Sequence, residues 1–289
     1  EMCKLNFEGK LQSFKEVLKV WRMRDLSLIG KNVVVKNLAV SKLIYPASLI
    51  HISDNIIKDV QSMICDFVWS QSTPKVKNSV MYQNLEKGGL KVMHFKTHVY
   101  ALKLSWIKRL YSSNEAKWKS VFQQFIQFIK IEDLFLSSCD FDFANLDLPL
   151  FYKELMNTWK LFCKYFNPEN IKQIRNEFLW FNPYIIIDKK TVFYKHWYIK
   201  GIKYINDIVD ENGVFLTQEI LERKFNLKVN FLEYLSLRLS IPGHWKQCLR
   251  SKTIRSFEPS LIPRFMLNGQ LKSVTHVICK EFLLVHYKF

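Results

Sequence analysis

Apolar residues recur at helical spacing from the start of the chain. Phe7, Leu11, Phe14, Leu18 and Trp21 follow one another at steps of four and three, which places them on one side of an α-helix. The pattern predicts an amphipathic helix over residues 5–24. Lys15, Lys19 and Arg22 form a second stripe about 100° round it, a basic face that suits either a phosphate backbone or plain solvent. Over 26–50 the run Val33-Val34-Val35 reads alone as a strand, but Val34, Leu38, Ser41 and Tyr45 fall at helical spacing. A helix ending before Pro46 is predicted, with Lys31 and Lys42 on nearly the same side. A third helix covers 54–69, with Asp54 near its start and Ile56, Val60, Met63 and Phe67 inward. Apolar residues lie almost all round it, so it should be well buried.

Gln71–Asn78 is a polar loop containing Pro74. Residues 79–92 read as short extended pieces joined by a turn at Gly88-Gly89. Helix returns over 95–112, with Val99, Leu102, Trp106 and Leu110 on one face and Lys103, Lys108 and Arg109 off it. An acidic stretch around Asp140, Asp142 and Asp147 reads as a connection. Beyond it, 151–166 and 168–179 are helical, and the β-branched run Tyr184-Ile185-Ile186-Ile187 opens an extended segment to 194. Short helices follow over 201–210, 217–226 and 229–239, and 240–250 continues through Pro242. Asn212-Gly213 marks a turn. The last forty residues have no clear pattern. The fold class is mainly α: a helical bundle over 1–112, an acidic connection over 113–150, a mostly helical domain with a short β element over 151–250, and a tail over 251–289.

Composition agrees with a folded chain. Of 289 residues 48% are hydrophobic and 15% aromatic, with eight Gly and eight Pro, which excludes a flexible, disordered polypeptide. The net charge of +17 suits a polyanionic partner, a nucleic acid or an acidic membrane surface, against the alternative of an inert basic surface. The charge is not uniform. Lys and Arg outnumber Asp and Glu by 20 to 9 over residues 1–120 and by 20 to 11 over 161–289. Between them, over 121–160, acids lead by 6 to 3. The six cysteines are scattered and form no CxxC pair, which argues against a zinc ribbon and for reduced thiols inside the cell. No apolar run is long enough for a membrane span, no signal peptide is evident, and a chain opening on Glu1 reads as a segment of something longer.

Several blocks carry a family likeness. Trp21–Tyr45 (WRMRDLSLIGKNVVVKNLAVSKLIY) is followed by Ile57–Ser70 (IKDVQSMICDFVWS), Leu85–Val92 (LEKGGLKV) and Ala101–Leu110 (ALKLSWIKRL). Then come Phe178–Ile185 (FLWFNPYI) with Val192–Ile202 (VFYKHWYIKGI), and lastly Asn212–Leu227 and Ser240–Leu249. In this order they resemble the region downstream of the catalytic palm in LINE-type (non-LTR) retrotransposon reverse transcriptases, first the thumb and then the linker. The resemblance covers roughly residues 5–250. It implies a thumb-like bundle, a linker-like domain, RNA template and DNA primer as partners alongside the upstream palm and fingers of one polyprotein, no membrane, and a place in nucleus and cytoplasm. The parent enzyme it implies uses Mg²⁺ on paired palm aspartates, since two-metal catalysis needs adjacent carboxylates. This sequence has no Asp-Asp pair, so no catalytic residue and no cofactor are assigned to the chain itself. The Cys/His knuckle of many relatives is also missing, because Cys279 and His286 give two ligands where about four are needed.

A thumb grips a duplex by its backbone, with cations on a helical face over a rigid apolar underside. Arg22, Arg24, Lys31, Lys36 and Lys42 are the candidates there, with Trp21 read as core because it continues its helix's apolar stripe. In the linker-like block Lys195, Trp197 and Lys200, with His196, interleave basic and aromatic residues. That suits single strands, where bases stack on rings, or equally a packed Trp with snorkelling lysines. His94 and His98 stand at i, i+4 without a third metal ligand, and Asp140 and Asp142 read as solvated loop acids. Three further readings stay open: a truncated or degenerate retroelement product with no active role, a protein-binding scaffold, and a complete enzyme with an unfamiliar site.

Overall fold

The computed structural model describes residues 2–70, 73, 75–110, 116–136, 147–163, 168, 170–251 and the strand pairs 266–267 and 270–271. Asp140, Asp142, Pro74, Cys139, Cys279, His286 and most of the tail over 251–289 lie outside the described residues. The described chain is mainly α-helical. It divides into two compact units. One comprises Glu1–Arg109 with Pro149–Thr158, and the other comprises Leu110–Leu148 with Trp159–Leu271.

The first unit opens on helix α1, Met2–Arg22. Phe7 and Phe14 are fully buried and Leu18 nearly so, with Leu11 and Trp21 packed partly against them, as the apolar stripe requires. Each ring or aliphatic side chain so buried is worth about 1.5–3 kcal/mol relative to exposure. After α1 come α2, Leu28–Val34, a π-helical turn at Val35–Ala39, and α3, Ser41–Leu49; its main partners are the π turn and α3. Ser27 starts α2 by accepting from the Gly30 amide at 3.2 Å, a side-chain cap for an otherwise orphaned donor.

Two sequence expectations fail in this segment, for one reason each. In the π turn the Val40 amide bonds the Val35 carbonyl at 2.9 Å, an i to i+5 bond that inserts one residue into the helix. One extra residue shifts everything after it by about 100°. The inward stripe is therefore Val35, Ala39, Leu43 and Ala47, all fully buried, while Leu38 and Tyr45 are exposed. For the same reason Lys31 and Lys42 no longer share a side. The helix also runs on past Pro46. Proline removes only its own N–H, and its carbonyl still accepts from Ile50 at 2.8 Å.

Helix α4, Asp54–Val68, begins at Ser53, whose hydroxyl accepts from the Ile56 amide. It buries Ile57, Val60, Ile64, Phe67 and Val68 and leaves Lys58, Asp59 and Asp66 exposed, so it is amphipathic where all-round burial was expected. Short helix α5, Asn78–Tyr82, and a 3₁₀ turn at Leu85–Lys87 replace the expected extended pieces. The turn at Gly88-Gly89 is present, with Gly88 left-handed at φ 74°. A Cβ on Gly89 would lie 2.2 Å from the Gln83 carbonyl oxygen, so only glycine fits there. Asn32 fastens this turn to α2 by donating from Nδ2 to the Leu90 and Lys91 carbonyls at 3.0 and 2.9 Å. Helix α6, Phe95–Leu110, follows. It buries Phe95, Val99, Ala101, Leu104, Ile107 and Leu110, a broader set than one stripe.

The second unit begins with α7, Lys117–Phe125, and α8, Ile131–Leu134, two helices inside the stretch read as a connection. Helix α9, Leu150–Cys163, belongs to the first unit up to Thr158 and to the second from Trp159, and α10, Ile171–Arg175, comes next; residues 164–167 and 169 lie outside the described set. Strands β1, Ile186–Ile187, and β2, Lys190–Thr191, pair antiparallel. The hairpin turns through Asp188 and Lys189, both at positive φ, the geometry that matches the twist of a two-residue hairpin. After it stand α11, Lys195–Ile199, a 3₁₀ turn at Ile205–Ile208, α12, Gln218–Phe225, α13, Phe231–Ser240, and α14, Gly243–Arg250. Helix does not run through Pro242. It stops at Ser240 and restarts with Pro242 as cap, since proline suits a helix start and not its interior. Strands β3, Met266–Leu267, and β4, Gln270–Leu271, form a second antiparallel pair.

The core of this unit is aromatic. Trp159, Trp180, Trp197 and Trp245 are all fully or almost fully buried. Trp180 meets Trp197 edge to face, ring centres 6.4 Å apart, and Phe181 stacks on Phe193 at 4.8 Å. Phe178–Ile185 and Val192–Ile202, distinct blocks in sequence, thus close on each other. Gly213, at φ 74°, packs so close to α14 that a Cβ would lie 2.0 Å from the Leu249 carbonyl oxygen.

Candidate nucleic-acid interface

In the first unit, the end of α1 and the segment after it carry the candidate cations. Arg22 and Arg24 are exposed. The Arg24 guanidinium lies 5.0 Å from the centre of the half-buried Trp21 ring, a cation–π interaction that holds the arginine over a rigid base. Lys42 is exposed on α3. None of these three has a carboxylate partner among the described residues. Their charge is uncompensated, which an anion-binding surface requires.

Lys31 and Lys36 differ from them. Both are half-buried. The Lys31 ammonium donates to the Val68 carbonyl at 3.3 Å and to the Ser70 hydroxyl, at the carboxyl end of α4. A cation there satisfies last-turn carbonyls and opposes the helix dipole. Lys31 is thus engaged structurally.

In the second unit, Lys195 and Lys200 are exposed on and just after α11, without carboxylate partners among the described residues. Trp197 between them is fully buried against Trp180 and Tyr194. It presents no face to a base, which is the packed alternative of the sequence reading. His196, beside it, meets Glu233 at 3.0 Å.

Three buried polar centres had no signal in the sequence pattern. Lys103, off the apolar face of α6, is fully buried. Its ammonium donates to the Ile50 carbonyl at 2.9 Å and pairs with Glu154 of α9 at 3.0 Å. Burial pushes its pKa down, and Glu154 pulls it back up. Asp133 receives the Tyr198 hydroxyl at 2.6 Å and the Lys203 ammonium at 2.8 Å on one oxygen. Burial first, and that hydrogen bond second, raise the Tyr198 pKa; the Tyr204 phenol is pushed up to about 12 by burial and then by Asp133 and Asp207. Arg175, 2% exposed, donates to Asn206 at 2.9 Å and to the Asp210 and Glu211 carbonyls at 2.8 and 2.9 Å, holding the turn before Gly213. Each pair is distant in sequence, so only tertiary placement reveals it.

His94 and His98 stand in different settings. His94 Nδ1 lies 2.6 Å from the Thr97 hydroxyl, while the buried Nε2 of His98 has no partner among the described residues and burial lowers that ring's pKa. Among the described residues no three His, Cys, Asp or Glu side chains gather as a metal site, and no helix is long and apolar enough to cross a membrane.

No protein-family profile matches the chain. Over 167 residues, 56% of the chain, it is 25% identical to the Transposon TX1 uncharacterized 149 kDa protein of Xenopus laevis. The matched part is 12% of that protein's length, so the chain spans a small fraction of this relative. The likeness supports a transposable-element origin for the chain.

Proposed function

We propose that the chain is a segment of a LINE-type retrotransposon polyprotein, lying beyond the polymerase palm, that grips template–primer nucleic acid by its backbone and performs no chemistry itself. The observation that carries this reading is the set Arg22, Arg24 and Lys42. They are exposed and lack carboxylate partners among the described residues; Arg22 and Lys42 stand on helices anchored by the buried stripe of Phe7, Phe14, Ala39 and Leu43, and Arg24 lies just past the end of α1. Such cations bind by releasing counterions from phosphates, without reading bases. The transposon-encoded relative, the +17 charge and the collinear resemblance support it. The sequence has no adjacent aspartates to hold two metal ions.

The test is an anisotropy titration of an RNA–DNA hybrid at several salt concentrations. Affinity should fall steeply with salt, and R22Q/R24Q/K42Q should flatten that slope by about one for each phosphate no longer neutralised. No binding at low salt overturns the reading. A second reading, a protein-binding scaffold, is favoured by one observation: Val20, Met23, Ile29, Val33 and Tyr45 are more than half exposed around the same helices, and exposed apolar residues gathered together mark docking surfaces. Under that reading the R22Q/R24Q/K42Q substitutions leave hybrid binding unchanged.

A further inference from the structure

The corner between α13 and α14 gathers three cations that neither the sequence blocks nor the grip described above uses. Lys246 and Arg250 stand one turn apart on α14, hence on one face. The Lys246 ammonium reaches back across the Ile241–Pro242 break and donates to the Leu239 carbonyl at 3.2 Å. That carbonyl belongs to the residue following Arg238, so the break folds the ends of the two helices onto each other. Arg238 is exposed, with its guanidinium 5.8 Å from the centre of the Phe215 ring. Arg238 and Arg250 both push the Lys246 pKa down, after burial, the largest cause, so like charges are held close to one another. No carboxylate pairs with any of the three among the described residues. A helix end needs one cation to offset its dipole. Three with no counter-charge repel one another, and an added polyanion removes that repulsion. Gly243 at the corner is exposed, with nothing among the described residues near the position a Cβ would take.

We propose that Arg238, Lys246 and Arg250 form a second phosphate-binding site, which takes consecutive phosphates of a nucleic-acid strand. It rests on the nucleic-acid reading above but uses other residues in the other unit. The corner offers no exposed aromatic platform among these residues, so it tracks backbone and does not stack bases.

The experiment measures binding of the full chain to a labelled RNA–DNA hybrid and to a labelled single strand, as a function of salt. Compared are the unmodified chain, R250Q, R238Q/K246Q/R250Q and R22Q/R24Q/K42Q, each checked for an unchanged thermal melt. The corner triple variant is expected to lose roughly tenfold or more in affinity at moderate salt and to flatten the salt slope by about two to three, and R250Q alone by about one. R250Q, at an exposed side chain, keeps the test alive if the triple variant fails to fold. Unchanged affinity and slope in both corner variants, while R22Q/R24Q/K42Q still weakens binding, overturns this site alone. An unmodified chain that binds neither probe overturns the function proposed above. Phosphatidylserine vesicles serve as the other polyanion: loss of vesicle binding in the corner variants with nucleic-acid binding intact overturns the assignment to nucleic acid.

Discussion

Lys103 and Glu154 meet at 3.0 Å with no exposed surface on the lysine side chain and 14% on the glutamate. They lie on α6 and α9 and join distant parts of one unit. Breaking a buried pair from one side leaves a charge in a poor solvent, at a cost of about 3–5 kcal/mol. Lys103→Met and Glu154→Gln should each lower the urea midpoint of unfolding accordingly. Lys103→Met with Glu154→Leu should recover much of the loss, because hydrophobic replacements of similar volume suit the site. A double variant as unstable as the sum of the singles would show that the two charges are not coupled.

His98 should make the fold acid-sensitive. Burial lowers its pKa in the folded chain, so protonation favours the unfolded state. The stability its neutral form contributes is present above the unfolded value of about 6.5 and declines as pH falls from there towards the depressed folded value. Urea midpoints measured from pH 8 down to pH 5 should fall, and His98→Phe should remove part of that dependence. An identical pH profile in the variant would exclude His98 as its source.

Gly213→Ala should destabilise the second unit by a few kcal/mol. The new methyl meets the Leu249 carbonyl, and left-handed backbone alone costs about 1–2 kcal/mol for an L-residue. Thermal melts of the variant and of Gly201→Ala, which shares a positive φ but has open space around it, separate strain from collision. Equal losses would mean that the close approach contributes nothing.

Trp197→Ala should act on stability, by about 3–5 kcal/mol for an emptied aromatic site. Lys195→Gln and Lys200→Gln should act on binding, each flattening the salt slope by about one while the melt holds. A Trp197 variant that melts normally but binds a single strand poorly would restore the stacking role.

Much of the helical fold was legible because amphipathic stripes are local. Phe7, Phe14 and Leu18 can be placed inward from spacing alone, as can Val60 and Phe67. The paired strands at Ile186–Thr191 lie within the segment read as extended. What the pattern missed has a common cause. Lys103 reads as a surface cation on its own helix, and only Glu154, Ile50 and Phe151, brought from elsewhere, make burial tolerable. Trp197 between two lysines looks the same whether it faces water or Trp180. At the candidate interface, exposure of Arg22 followed from its position beside the apolar stripe of α1, whereas the engagement of Lys31 by Val68 depends on where α4 ends. The α13–α14 corner was hidden because Arg238 and Lys246 approach only through the chain reversal at Pro242.

The π turn at Val35–Ala39 makes this helix unusually forgiving of one kind of mutation. Losing a residue from a regular helix swings all that follows by about 100° and exchanges its wet and dry sides. Here the helix already carries one residue beyond the regular count, bulged outward at the exposed Asn37 and Leu38. Deleting Asn37 would let an unbroken α-helix join the same two inward faces, Val34 and Val35 before it and Leu43 and Ala47 after it. At this position in the gene, the loss of a single codon would leave the buried stripe where it is.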